Sequence, residues 1–321
     1  MSNQIGLNIY YSILVLIDTL SSIFYISLLI FLGKRLFEKE KNGAKTFHIL
    51  FMVVGWMDML FIVEEYLSFR LPQFGLFETF YMEWFRFTSL PAICFTYSIA
   101  QIILTACMSG VIALNRFTAI AMPTKYLEVW CTRNLVASVL IPTTLCAIFF
   151  GFFCGAEADY SLSEDDGRMS VFYVNEFDAN FIFFTLITAH ASILVIIGLL
   201  NYGIIHSLKK QIKTTNTQIK TFRIDIILIK YAHVQFFLLL ITFTAELLQI
   251  LSANLQWNEM YNNLMSIYLA VETTMIFFSP FALLILSKDI RNKYFVFMKI
   301  KSPIQSSNTI VPRTFVTTRH S

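Results

Sequence analysis

The sequence predicts an all-α protein: a bundle of seven transmembrane helices, with the N-terminus outside and the C-terminus in the cytoplasm. Three observations lead there. Of the 321 residues, 56% are hydrophobic and 14% charged, and Phe alone occurs 33 times; a soluble domain carries about 25% charged residues. Apolar runs of about 18 residues or more recur along the chain, each able to cross roughly 30 Å of hydrocarbon, whereas soluble cores use shorter amphipathic segments. Lys and Arg alternate between connectors, 21 of the 24 falling on one side, the side expected to be cytoplasmic.

The spans are expected over 9–33, 47–69, 89–114, 135–154, 178–203, 232–255 and 263–286. Ahead of the first, MSNQIGLNIYY has no basic segment, and the run behind it is too long for a signal peptide, so it should remain a span. The first connector is basic (Lys34, Arg35, Lys39, Lys41, Lys45), as are the third (Arg116, Lys125, Arg133) and the fifth (Lys209, Lys210, Lys213, Lys220, Arg223, Lys230). Arg70, Arg86 and Arg168 are assigned to the opposite side, leaving no Lys or Arg deep in a span. The outer connector 155–177 carries Glu157, Asp159, Glu164, Asp165, Asp166 and Glu176. It reads either as a loop kept soluble by charge or as a surface that concentrates cations. After Pro280 the chain reads LSKDIRNKYFVFMKIK, where Ile290, Tyr294, Phe297 and Met298 share one helical face. That fits a short amphipathic helix on the anionic inner leaflet.

Cys94, Cys107, Cys131, Cys146 and Cys154 form no CxxC pair, so neither a metal site nor a disulfide framework is expected. No Asn-x-Ser/Thr sequon occurs. No cofactor and no nucleic-acid partner is expected.

The inner end of span three, Leu114-Asn115-Arg116-Phe117-Thr118 followed by Pro123, Lys125-Tyr126 and Trp130, resembles the nematode serpentine chemoreceptors. The gamma superfamily, with its gamma and V-type classes, is the nearest resemblance. Pro280, Leu283-Leu284, Ser287, Ile290-Arg291 and Phe295 fit the same group. The resemblance implies a rhodopsin-like G-protein-coupled receptor whose partners are a small-molecule ligand, a heterotrimeric G protein and membrane lipids. It implies a multi-pass plasma-membrane protein, in sensory cilia for a chemoreceptor. Arg116 takes the place of the arginine that engages the G protein, Asn115 that of its acidic neighbour and Phe117 that of a tyrosine; Lys125 and Tyr126 join them at the coupling face. Asn115 cannot hold Arg116 by charge, and Asp225 is a candidate carboxylate partner. Span six has neither Pro nor Trp, and span seven has Ser279-Pro280 where Asn-Pro is common. With Asp58, where the resemblance suggests a sodium ion or water, Ser279 and Pro280 are the candidate conformational switch. The disulfide from span three to the second outer connector cannot form, since that connector lacks Cys; Cys94 and Cys154 are left as an open pairing. Residues 1–301 would be the seven-span receptor domain with its juxtamembrane helix, and 302–321 a disordered cytoplasmic tail.

Six acids lie in apolar spans: Asp58 near the midplane, and Asp18, Glu64, Glu65, Glu246 and Glu272 in the outer halves. An intramembrane carboxylate costs about 2.5–3.5 kcal/mol near a helix centre. Helical spacing aligns Asp18, Ser22 and Tyr25; Asp58 and Glu65; Thr242, Glu246 and Gln249; Tyr268, Glu272, Met275 and Ser279; and Gln101 with Thr105. These stripes suggest a polar-walled outer cavity for a small ligand, with Glu246, Glu272, Glu65, Gln249, Tyr268 and Gln101 as candidate contacts. His190 is the one deep cationic candidate, and a lone His is more often packed and hydrogen-bonded. Neutral, hydrogen-bonded acids would give the same sequence. With no basic residue among them, the acids predict a cavity that favours a cation or strong hydrogen-bond donor. No nucleotide loop, HExxH or dense His cluster points to an enzyme. A transporter or channel is the alternative, because intramembrane acids also mark ion paths.

Overall fold

The computed structural model describes residues 2–36, 42–163, 167–214, 219–255 and 257–300, with side chains described except at 2–5, 42–45, 211–214, 219–232, 254 and 258–259. Asp225, the acids at 164–166, much of the fifth connector's basic run and the segment 302–321 therefore lie outside what is described.

Seven helices are long and apolar enough to cross a membrane, with stretches at Gly6–Leu36, Thr46–Gln73, Leu90–Ala121, Thr132–Phe153, Glu176–Lys210, His233–Ala253 and Met260–Leu286. The full helices are α1 (Ser2–Leu36), α2 (Asn42–Glu65), α3 (Leu90–Ala121), α4 (Thr132–Phe153), α5 (Glu176–Thr214), α6 (Ile219–Asn254) and α7 (Asn258–Leu286). An eighth, α8 (Lys288–Phe297), follows α7 across Ser287, whose hydroxyl accepts from the Ile290 N–H and caps it.

α3 runs through the middle of the bundle and contacts α2, α4, α5 and α6, while α7 closes the ring against α1 and α6. One core cluster gathers α3 residues such as Phe95, Ile99 and Met108 with Ile182 and Leu186 of α5. A second joins Tyr25, Leu28 and Leu32 of α1 to Phe51 and Phe61 of α2, Ile276 and Phe277 of α7, and Ile290 and Tyr294 of α8. Gly55 lets α1 approach α2: a Cβ there would come within 2.6 Å of Leu29 Cδ2 and 2.9 Å of Tyr25 Oη.

Three features differ from the sequence reading. The connector expected to be a solvated acidic loop contains a β-hairpin, β1 (Ala158–Leu162) paired antiparallel with β2 (Met169–Tyr173), in register Ala158↔Tyr173 through Leu162↔Met169. Its alternation is the reason: Ala158, Tyr160, Met169, Val171 and Tyr173 are buried on the face toward the bundle. Second, the apolar face of α8 is turned inward. Ile290 and Tyr294 are buried, Tyr294 lies edge-on to Phe31 at 5.6 Å between ring centroids, and its hydroxyl is 2.5 Å from Ser27 Oγ. Third, α2 continues past Glu65 through a wide turn, Tyr66–Arg70, in which Leu71 N–H bonds back five residues to Tyr66 O, and a short turn, Leu71–Gln73. That extension carries Arg70 into the bundle. The hairpin marks one end of the molecule (the hairpin end), and α8 the other (the tail end).

Candidate functional site

At the hairpin end the intramembrane acids are neither isolated nor without a cation. In an α-helix at about 100° per residue, positions five apart lie about 140° apart. The wide turn instead brings Arg70 against Glu65: Arg70 Nε donates to Glu65 Oε2 at 2.8 Å, and Nη2 lies 2.7 Å from the same oxygen. Arg70 Nη1 donates to Asp18 Oδ2 of α1 and, at 2.9 Å, to Thr273 Oγ1 of α7. Asp18 also accepts from Tyr66 Oη at 2.7 Å and from Thr273 Oγ1 at 2.9 Å. Arg70 is 0% exposed, with Nη2 3.9 Å from Glu272 Oε2.

This corrects the expectation that no basic residue lies among the outer acids. One arginine clasps α1, α2 and α7, pairing directly with Asp18 and Glu65. A lone buried ion costs several kcal/mol; a paired and hydrogen-bonded one recovers most of that.

The polar seam continues past the clasp. Tyr268 Oη is 3.4 Å from Glu272 Oε1. On the far side, His190 Nδ1 of α5 and Glu246 Oε2 of α6 share a 2.9 Å hydrogen bond, with both side chains buried. So His190 is partnered, as a lone core histidine usually is. Glu64 stands apart, accepting from Ser68 and Ser98 hydroxyls. Among the described residues of this seam, Glu272 Oε2, Glu246 Oε1, His190 Nε2 and Gln101 Nε2 are buried without a hydrogen-bond partner, as are Gln73 Oε1 beneath the hairpin and the Asn201 amide toward the tail end. Unmet polar groups in a nonpolar interior cost about 1–3 kcal/mol each. Gln249 joins the seam least: its amide is 3.9 Å from Met265 Sδ. The hairpin covers this end. Tyr160 Oη donates to Ser68 O at 2.9 Å, Gln73 Nε2 to Ser170 Oγ at 2.8 Å, and Arg168 reaches Asn262 O and Ser266 Oγ of α7 at 3.4 Å. Burial pushes the Tyr160 and Tyr173 phenols up.

Near mid-bundle, Asp58 accepts from Tyr25 Oη at 3.1 Å, and Pro280 lies inside α7 just after Ser279. All five cysteines are free thiols, so Cys94 and Cys154 do not pair.

At the tail end α3 extends to Ala121, which places Asn115 and Arg116 within the helix and buries both. They meet different neighbours. Asn115 Nδ2 donates to Tyr126 Oη at 3.0 Å, and Trp130 Nε1 donates to Thr118 Oγ1 at 2.7 Å, so the Pro-Thr-Lys-Tyr loop is stitched back onto α3. Arg116 points inward, its guanidinium 5.6 Å from the Phe47 ring centroid. It lines a narrow cavity with Ser109, Asn201 and Gln235, where Gln235 Nε2 of α6 donates to Ser109 Oγ of α3 at 3.3 Å. Phe117 packs against Gly203 of α5, where a Cβ would come within 2.8 Å of the ring. Lys125 is exposed.

Seven helices long and apolar enough to cross a membrane define an integral, multi-pass membrane protein. The sequence model of the family described as serpentine type 7TM GPCR chemoreceptor Srv matches residues 10–300. The chain belongs to that family and is a GPCR-type chemosensory receptor; the family is not one of enzymes. None of the curated proteins compared with it matches.

Proposed function

We propose that this receptor binds a small molecule in the seam at the hairpin end and activates a heterotrimeric G protein at the tail end. The observation that carries the reading is the set of buried polar atoms left without partners on Gln101, His190, Glu246 and Glu272, four side chains from α3, α5, α6 and α7. Groups of this kind are what a hydrogen-bonding ligand would satisfy. The contacts proposed are Glu246, Glu272, Glu65, Gln249, Tyr268 and Gln101. Because Arg70 and His190 stand among the acids, the seam offers donors as well as acceptors and suits a ligand that carries both. At the other end Asn115, Arg116, Phe117, Lys125 and Tyr126 form the proposed coupling face, with Arg116 as the group that would turn outward. Asp58, Ser279 and Pro280 are proposed to link the two ends. The N-terminus would lie outside the plasma membrane, in keeping with the charge bias, and sensory cilia are the proposed location.

The test is nucleotide exchange on a G protein co-reconstituted with the receptor, challenged with a panel of small alcohols, amines and carboxylic acids. Exchange that depends on a panel member supports the reading. Ion flux through protein-only liposomes, with no exchange, would favour a transporter or channel instead.

A further inference from the structure

The connector between α2 and α3 carries a surface that neither the ligand seam nor the coupling face uses. After Gly75 the chain turns through Phe77, which has a left-handed φ of 60°, into a short irregular helical stretch ending at Phe87. Its aromatic residues divide into two sets. Tyr81 and Phe85 are buried against the hairpin, with ring centroids 5.4 Å and 6.0 Å from that of Tyr160. Phe77, Phe80, Trp84 and Phe87 are 66%, 44%, 72% and 78% exposed. Such rings, each able to bury about 150–250 Å² when fully covered, are out of place in water but enriched where a bilayer meets water.

Two further observations say what covers them. The patch is flanked along the chain by outward apolar residues of the neighbouring spans: exposed Leu60 and Val63 of α2 and Leu67 of the wide turn precede it, and exposed Leu90 follows it at the start of α3. Its charge is also selective. Phe77, Glu78, Thr79, Phe80 and Trp84 line an open groove of about 500 Å³, while Arg86, the basic residue of the stretch, is held by Asp159 at 2.6 Å. Aromatic faces beside a carboxylate attract a quaternary ammonium and repel an anionic headgroup.

We propose that this connector is a phospholipid-docking element: its four exposed rings sit in the headgroup region of the adjoining leaflet, and its groove takes the choline group of phosphatidylcholine. Because Arg86, Tyr81 and Phe85 grip the hairpin, the bilayer then anchors the cover over the seam. The proposal does not depend on what the seam binds.

The full chain, with its cysteines replaced, is spin-labelled at position 80, 84 or, on the outward face of the hairpin, 161, and placed in nanodiscs of phosphatidylcholine or phosphatidylglycerol. In phosphatidylcholine, labels at 80 and 84 should collide more with oxygen than with a water-soluble nickel chelate, and the label at 161 should show the reverse. In phosphatidylglycerol at low salt the preference at 80 and 84 should fall at least twofold. A second measurement leaves the connector unlabelled: brominated phosphatidylcholine should quench wild-type tryptophan fluorescence more than that of Trp84→Phe. Labels at 80 and 84 as open to nickel as that at 161, with no quenching assignable to Trp84, would overturn the docking. Equal behaviour in the two lipids would overturn the choline assignment.

Discussion

Arg70 decides the electrostatics of the hairpin end. Its guanidinium is the one charge that Asp18 and Glu65 share, and it ties α1, α2 and α7 together. Removing one member of a buried pair usually costs about 3–5 kcal/mol, because the remaining charge stays buried. Arg70→Met should therefore lower the unfolding midpoint in lipid-like detergent by an amount corresponding to about 3 kcal/mol or more. Arg70→Met with Asp18→Asn should cost less than the sum of the two single changes, since they share one network. Additive losses would mean the clasp is not a unit. A different outcome is expected at Glu246, whose Oε2 holds His190 and whose Oε1 has no partner among the described residues. Glu246→Gln keeps the shape and should weaken agonist potency by about tenfold, the loss of one charge-assisted hydrogen bond, with surface expression unchanged. Unaltered potency would remove Glu246 from the ligand site.

Between elements, what could be read from the sequence depended on which signal each one leaves. Hydropathy over about 18 residues found all seven spans, because a helix in lipid must be apolar along its length. Arg70 escaped because it follows an apolar run and was counted with the connectors, and only the wide turn at Tyr66–Arg70 shows that it faces Glu65. The signal available was chemical: acids in three neighbouring helices call for a cation, and Arg70 is the first one past Glu65. The hairpin is hard to read in the sequence because its short alternating strands, ADYSL and MSVFY, sit among clustered acids that also mark a solvated loop. That Asn115 and Arg116 present different faces is legible in principle, since adjacent helical residues lie about 100° apart; the Tyr126 partner is not. Two predictions belong here. Gly55→Val should force α1 off α2 and cost about 1–3 kcal/mol, whereas the same change at Gly151, where a Cβ meets nothing within 4 Å, should be mild. At α8, burial pushes the Asp289 carboxyl up, but Lys293 at 3.2 Å and Arg35 at 2.9 Å outweigh it, and it sits below the ordinary carboxylate range. A depressed native pKa stabilises above the unfolded value of about 3.9 and is lost as pH falls through the native one. Docking of α8, followed by a fluorophore at Met298, should thus hold from neutral pH to about 5 and loosen below about 4; Asp289→Asn should flatten that profile.

For the molecule as a whole, the proposed reading puts a ligand at the hairpin end and a G protein at the tail end, and the charge bias would orient the two. An N-terminal tag should be labelled on intact cells and a C-terminal tag only after permeabilisation; the reverse would invert both proposed faces. The most direct test joins the two ends: exchange of guanine nucleotide on a co-reconstituted G protein, for wild type and Arg116→Ala, across the same panel of alcohols, amines and carboxylic acids. Wild type should accelerate exchange with at least one member of the panel, and Arg116→Ala, expressed and folded to the same level, should lose at least nine-tenths of that acceleration. Equal acceleration by the two proteins would contradict coupling through Arg116, and ion flux without exchange would contradict the receptor reading itself.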